Sequence, residues 1–180
     1  CVIQQKLAAE GRFPVIRMDN IKGADLPLAT SVLGSYPLLG LALGVDPGQP
    51  KSAILQRFRE RAAKPLAPKS VPREDAPVKQ VVLTGDAIDL AVGVLVLRDP
   101  DSGVLNAGMY RHEVQGKDKL GCMFNPTHHA GYIYRRCKEL NKRMESVLFI
   151  GHHPAALLGS LGEGSIDSSE FELMGALMGE

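Results

Sequence analysis

The sequence predicts an α+β protein, a small and mostly antiparallel β-barrel preceded by a smaller α/β amino-terminal segment. Three observations carry that expectation. β-rich runs bounded by turn residues recur late in the chain, at 78–85, 92–97, 109–111 and 146–151. Only one or two helical stretches interrupt them. Three prolines, Pro65, Pro68 and Pro72, fall close together, remove backbone donors and force extended conformations, which marks a linker. The expected boundaries are 1–63 for a partial amino-terminal α/β domain, 64–77 for the linker and 78–180 for the barrel.

Taken in order, residues 2–11 read as a helix. The chain opens inside it on Cys1 rather than methionine, so an upstream neighbour is expected. Residues 13–18 alternate apolar and polar like a strand. Residues 38–43 suit a small-residue helix stopped by Gly44, and residues 51–63 a helix with Ile54, Leu55 and Phe58 on one face. In Asp99-Pro100-Asp101-Ser102-Gly103 the proline presets φ, Asp and Ser bond their own backbone, and glycine takes the left-handed position, so this turn should join two antiparallel strands. Residues 135–141 suggest a helix before the strand at 146–151. Ser168 or Ser169 can cap a last helix running to Met178, with Glu170 near its positive end.

Composition narrows the function classes. The chain of 180 residues can bury one good core or two small ones, and its 44% hydrophobic content is ordinary for a globular protein. A net charge of +1, with Lys and Arg scattered, argues against a nucleic-acid partner; the dense patch at Arg57, Arg59 and Arg61 reads as a solvated helix face. No apolar stretch is long enough for stable membrane insertion, and a cytoplasmic location is expected. Cys1, Cys122 and Cys137, odd in number and widely spaced, fit reduced thiols.

Asn106 and Arg111 put an amide oxygen and a fixed cation on the strand that leaves the Asp99–Gly103 turn. In an extended chain they lie an odd number of residues apart and face opposite sides. Both can serve one site only if the backbone bends at Ala107-Gly108. Taken alone, the segment also reads as a plain hairpin with a surface arginine and a turn asparagine.

The wider succession is more specific. It runs Arg98-Asp99-Pro100 to Asn106-Ala107-Gly108-Met109-Tyr110-Arg111, then Gly116-Lys117-Asp118-Lys119-Leu120-Gly121, then Pro126-Thr127-His128-His129-Ala130-Gly131. It continues with Gly151-His152-His153-Pro154-Ala155 and closes with Glu170 ahead of Gly175-Ala176-Leu177-Met178-Gly179-Glu180. In order, spacing and residue type this resembles the UbiD family of prenylated-FMN-dependent decarboxylases over about residues 78–180. A weaker echo at residues 19–23 and 41–44 resembles that family's amino-terminal domain.

The resemblance implies a split β-barrel of the flavin-binding kind, prenylated FMN as cofactor, and reversible non-oxidative decarboxylation of an aromatic or α,β-unsaturated acid. It implies that Asn106, His129 and Glu170 hold a divalent metal against the flavin phosphate. Amide oxygen, one imidazole and one carboxylate suit manganese or magnesium better than zinc. Potassium is a further cation that the resemblance allows. Arg111 is implied as the clamp on the substrate carboxylate, for which a guanidinium offers paired donors and a permanent charge. Ala107, Gly108, Met109 and Tyr110 are implied to line the flavin through their backbone, with His128 beside them and Ser160, Leu161 and Gly162 as a second cofactor-facing segment. A homo-oligomer or a partner subunit is expected in the complete protein. The glutamates that shuttle the proton in the family lie carboxyl-terminal to Glu180, and Glu163, Glu172 and Glu180 do not match them. The passage from Asp89-Leu90 to the next strand is also shorter than in the family.

Bland readings stand beside these. His129 also suits a packed loop histidine, and Glu170 a helix-start carboxylate. His152-His153 with His128-His129 invites a zinc site, but adjacent strand residues point to opposite faces, so at most one of each pair could reach a shared ion. A non-catalytic flavin-binding or structural subunit of a multi-chain carboxylase is the alternative function. An FMN oxidoreductase on the same barrel would not require the Asn-His-Glu set.

Overall fold

The computed structural model describes residues 2–22, 27–70, 72, 90–116 and 118–179. The strand expected at 78–85, most of residues 70–77, Gly23, Asp89, Lys117 and the terminal residues Cys1 and Glu180 lie outside them. The amino-terminal part contributes α1 (Val2–Ala9), the short antiparallel pair β1 (Ile16–Met18) and β2 (Leu28–Thr30), α2 (Tyr36–Ala42) and α3 (Lys51–Ala62). The remainder contributes β3 (Leu90–Arg98), β4 (Leu105–Gly116), β5 (Lys119–Met123), α4 (His129–Glu139), β6 (Ser146–Phe149), α5 (Pro154–Gly159) and α6 (Glu170–Met178). The α+β expectation holds. The four later strands form one curled half-barrel sheet in the order β5-β4-β3-β6, antiparallel throughout.

Alternation along β3 and β4 sorts side chains onto two covered faces. On one, Leu95 and Leu97 pack against Ala130, Ile133 and Cys137 of α4. On the other, Val94 and Ala107 pack against Ala156 of α5 and Met174 of α6. A third cluster joins Leu43, Val45 and Ile54 to Ala155 and Leu177, so α2 and α3 share apolar contacts with the helices behind the sheet. Arg61 reinforces that contact by donating to the Leu177 carbonyl at the end of α6.

The β3–β4 turn forms as its residues dictate. Asp99 is buried; its carboxylate accepts from the Asp101 amide and the Ser102 hydroxyl, both at 2.9 Å, while Gly103 takes φ +75°. Arg136 of α4 grips Asp101 with two nitrogens, at 2.5 and 3.2 Å, and holds that carboxyl below its ordinary range.

β4 runs straight through Ala107-Gly108, paired in register with Val96 and Leu95, and its irregularity lies between Val114 and Gly116 instead. Three expectations need correction. On α3, Leu55 is 54% exposed and the inward stripe is Ile54 with half-buried Phe58 one turn on. The helix expected at 135–141 starts at His129, because Ala130, Ile133 and Cys137 already make an apolar stripe at helical spacing. The Gly151–Pro154 turn leads straight into a helix, with Pro154 in its first turn and His153 Nδ1 accepting from the Ala155 amide at 3.1 Å.

Candidate cofactor and metal site

β4 has two unlike halves. From Arg111 onward its outer edge pairs with β5, whereas residues 105–110 pair only with β3. Among the described residues the outer edge of the first half has no strand partner, and its polar groups are met by side chains of the α6 start. Ser169 donates to the Leu105 carbonyl at 2.6 Å, and the Ala107 amide donates to Glu170 Oε2 at 2.9 Å. In an antiparallel ladder, alternate residues turn their N–H and C=O the same way, so Met109 also directs its backbone pair away from β3.

A cavity of about 400 Å³ lies along this edge. The first turns of α4 and α6 flank it, and its wall includes Asn106 to Tyr110, His128, His129, Ser160 to Gly162 and Glu170. Every residue assigned to cofactor or metal from the sequence thus borders one space. Thr127, Glu163 and Gly164 line it too and were not anticipated. Their signal was position alone: Thr127 directly precedes the two histidines, and Glu163-Gly164 continues the 160–162 segment.

Asn106, His129 and Glu170 meet inside this wall. Asn106 Nδ2 lies 2.9 Å from Glu170 Oε1 and 3.1 Å from His129 Nδ1, and the latter two atoms are 3.9 Å apart. Asn106 and Glu170 are buried, at 5% and 8% exposure, and His129 is half-buried. Burial pushes the Glu170 carboxyl above its ordinary value; the Ala107 amide, its own backbone amide and His129 offset part of that rise. Asn106 Oδ1 is buried with no hydrogen-bond partner among the described residues.

This donor set fits a hard divalent cation. A carboxylate and an imidazole nitrogen converge on one point that here holds the positive edge of an amide. The Asn106 side chain, turned over, would present its oxygen to the same point. Among the described residues, no three His, Cys, Asp or Glu side chains gather at metal-binding spacing, so the zinc reading of the two histidine pairs finds no support. His128 caps α4 without a side-chain bond, and His152 packs edge-on against Phe149, 4.9 Å between ring centres.

Arg111 stands apart. It is exposed and lines a neighbouring cavity of about 300 Å³ with Glu113, Gln115 and Met123. With no bend at Ala107-Gly108, it faces the side opposite Asn106, as strand alternation requires. It does follow Met109 on one face of β4.

Tyr110 supplies an aromatic wall. Its ring folds back over Gly108, so a Cβ there would lie 2.8 Å from Cε2 and 3.0 Å from the hydroxyl oxygen. The glycine makes room for this ring. Burial raises the phenol above its ordinary value, the Glu170 charge adds to that, and the Ala130 amide in the first turn of α4 opposes it.

Comparison with known proteins follows this geometry. The family model described as UbiD, the 3-octaprenyl-4-hydroxybenzoate carboxy-lyase Rift-related domain, matches residues 84–180. The chain belongs to the UbiD family. It is 29% identical to a phenolic acid decarboxylase of Streptomyces sp. (strain D7), over 92% of this chain and 40% of that protein. It is 26% identical to the anhydromevalonate phosphate decarboxylase of Methanothermobacter thermautotrophicus, over 88% and 39%. The UbiD-class enzyme HmfF from Pelotomaculum thermopropionicum, solved with prFMN, superposes with a TM-score of 0.80 at 27% identity, over 96% of this chain and 43% of that one. The vanillic acid decarboxylase of Sedimentibacter hydroxybenzoicus shares the fold, with a TM-score of 0.86 at 24% identity, over 99% and 42%. The chain spans about two-fifths of the length of these relatives. The alignment with the Streptomyces protein covers 191 positions, more than the chain has, so that relative carries residues this UbiD-family chain lacks. No helix among the described residues is long and apolar enough to cross a membrane.

Proposed function

We propose that this chain supplies the cofactor-binding part of a reversible, non-oxidative decarboxylase that acts on an aromatic or α,β-unsaturated carboxylic acid with prenylated FMN and a divalent metal. The observation that carries the reading is the convergence of Asn106, His129 and Glu170 on one point at the rim of the cavity. Electrostatics supports a cation there. Among the described residues no Lys or Arg lines the cavity, while Glu163 and Glu170 do. A phosphate entering this space would be repelled unless a metal stood between it and Glu170. The first-turn amides of α4 and the backbone of Met109 then offer neutral donors to the phosphate.

Each residue has a task in this reading. Asn106, His129 and Glu170 hold Mn²⁺ or Mg²⁺, and the Ala107 amide fixes Glu170 in its ligating orientation. Ala107 to Tyr110, His128, Ser160, Leu161 and Gly162 form the walls that orient the flavin. Bound prenylated FMN would supply the centre that takes up charge as the carbon–carbon bond breaks. Arg111, next on the face of Met109, is placed to fix the acid's carboxylate once the substrate spans the two cavities. The domain division at 64–77 and the proton-donating glutamates beyond Glu180 belong to the same proposal.

The test is carbon dioxide release from a panel of aromatic and acrylic acids after reconstitution with prenylated FMN and Mn²⁺. The isolated chain is expected to bind the cofactor without turnover, since lack of the acid alone forfeits about 10²–10⁴ in rate. Turnover by the isolated chain at roughly 1 s⁻¹ or faster would show that the proton donor lies within these residues.

A further inference from the structure

The phenol of Tyr110 has a use that its backbone role leaves out. Two residues apart on β4, Tyr110 and Gly108 share a face, and the ring lies back along the strand so that Cε2, Cζ and the hydroxyl oxygen all crowd the place where a Cβ of residue 108 would stand, at 2.8, 3.1 and 3.0 Å. The hydroxyl is therefore carried towards Asn106, which occupies the same face two residues further back. The ring is fixed there from behind. It meets Phe124 edge-on at 6.2 Å, Phe124 meets Tyr134 at 5.8 Å, and the ring packs against the Leu95, Leu97 and Ile133 cluster.

The ring is half-buried and lines the cavity, and among the described residues no group accepts a hydrogen bond from the hydroxyl. It lies near the Ala130 amide in the first turn of α4 and within the field of Glu170. An O–H held by packing beside a helix start, with the Ala130 amide facing its oxygen, has its own proton free for an acceptor that enters the cavity.

We infer that the Tyr110 hydroxyl donates a hydrogen bond to the phosphate of the bound flavin nucleotide, and that glycine at 108 is required so that the ring can reach it. This rests on the flavin reading proposed above. A phosphate oxygen at this point would take the hydroxyl and the α4 amides on one side and the metal on the other. The neutral phenol adds a directional donor to a wall whose described residues include no lysine or arginine.

Titration of the chain with FMN and with riboflavin, each with Mn²⁺ and followed by flavin fluorescence, tests this. The wild-type chain should bind FMN more tightly than riboflavin. Tyr110→Phe, which keeps the ring and its packing, should weaken FMN about tenfold and leave riboflavin unchanged. Gly108→Ala should produce the same selective loss, because its methyl displaces the ring, and combining the two should add nothing further. An unchanged FMN affinity in Tyr110→Phe overturns the inference, as does an equal loss for FMN and riboflavin, which would mean that the ring serves packing alone. A wild-type chain that binds both flavins alike would overturn the flavin-phosphate reading itself and this inference with it. A wild-type preference for FMN that survives in Tyr110→Phe removes only the tyrosine.

Discussion

The two halves of β4 make the most instructive comparison in the molecule. From Arg111 to Glu113 the strand has neighbours on both edges, β3 and β5, and its backbone groups are taken up by the sheet. From Leu105 to Tyr110 one edge has no strand partner among the described residues, and the groups on that edge are met by Ser169, by Glu170 or by the cavity. The cavity lies where the described strand pairing stops. Buried backbone donors must be satisfied, so an edge that no strand covers has to be covered by side chains, ions or ligands.

The sharpest way to break this comparison is to remove the side chain that covers the edge. Glu170→Ala leaves the Ala107 amide and Asn106 Nδ2 without their partner. It should lower FMN affinity in the presence of Mn²⁺ by about 100-fold, read by calorimetric titration. An affinity within a few-fold of wild type would mean that Glu170 is only a helix-start carboxylate.

Proline scanning tests which way the edge groups point. Met109→Pro removes an N–H that faces the open edge, so the chain should fold with little loss of stability. Gly108→Pro removes one that faces β3 and should cost on the order of 1–3 kcal/mol, measured by denaturant unfolding. Equal costs at the two positions would contradict the alternation on which the site is built.

The buried carboxylate gives a pH-dependent comparison with its amide. Glu170 has its carboxyl raised above 4.5 by burial. The folded, ligand-free chain therefore holds that proton more tightly than the unfolded chain does. The resulting stability is fully present below about pH 4.5 and is lost as pH rises through the raised value. Glu170→Gln should accordingly match wild type near pH 4 and melt at a higher temperature near pH 7 when no metal is present. A variant that melts lower at pH 7 would mean that the ionised carboxylate is a net stabiliser of the empty site.

At the junction between the halves, Arg111→Lys should leave FMN affinity within about twofold, since Arg111 lines the neighbouring cavity and not the one beside Asn106. In the complete enzyme the same change should lower kcat/KM by roughly tenfold or more, as expected for the loss of a paired donor to a carboxylate. Parallel flavin titration and steady-state kinetics would separate the two effects.

Much of this arrangement was legible in the chain. The Asp99–Gly103 turn, the strand at 92–97, the helix from Ser169 to Met178 and the convergence of Asn106 with His129 and Glu170 all follow from local turn chemistry, capping residues or motif order. Arg111 keeps the side opposite Asn106 that alternation gives an extended strand, because β4 has no bend at Ala107-Gly108. Small residues permit a bend, but they also permit a ring to lie on the backbone, and that is the use Gly108 has. The early start of α4 was missed since its stripe of Ala130, Ile133 and Cys137 is thin and partly small. The open edge of β4 could not be read at all. It depends on where β5 stops pairing, and no local pattern records the length of a neighbour.

The account stands most directly on whether Asn106, His129 and Glu170 hold a cation that bridges to a flavin phosphate. The measurement is the FMN dissociation constant of the chain with and without Mn²⁺, repeated in Asn106→Leu. Tightening by about 100-fold on adding the metal is expected, with Mn²⁺ affinity rising by the same factor when FMN is present, as linkage requires. Both effects should vanish in Asn106→Leu. FMN binding that is indifferent to Mn²⁺ in the wild-type chain would contradict the account.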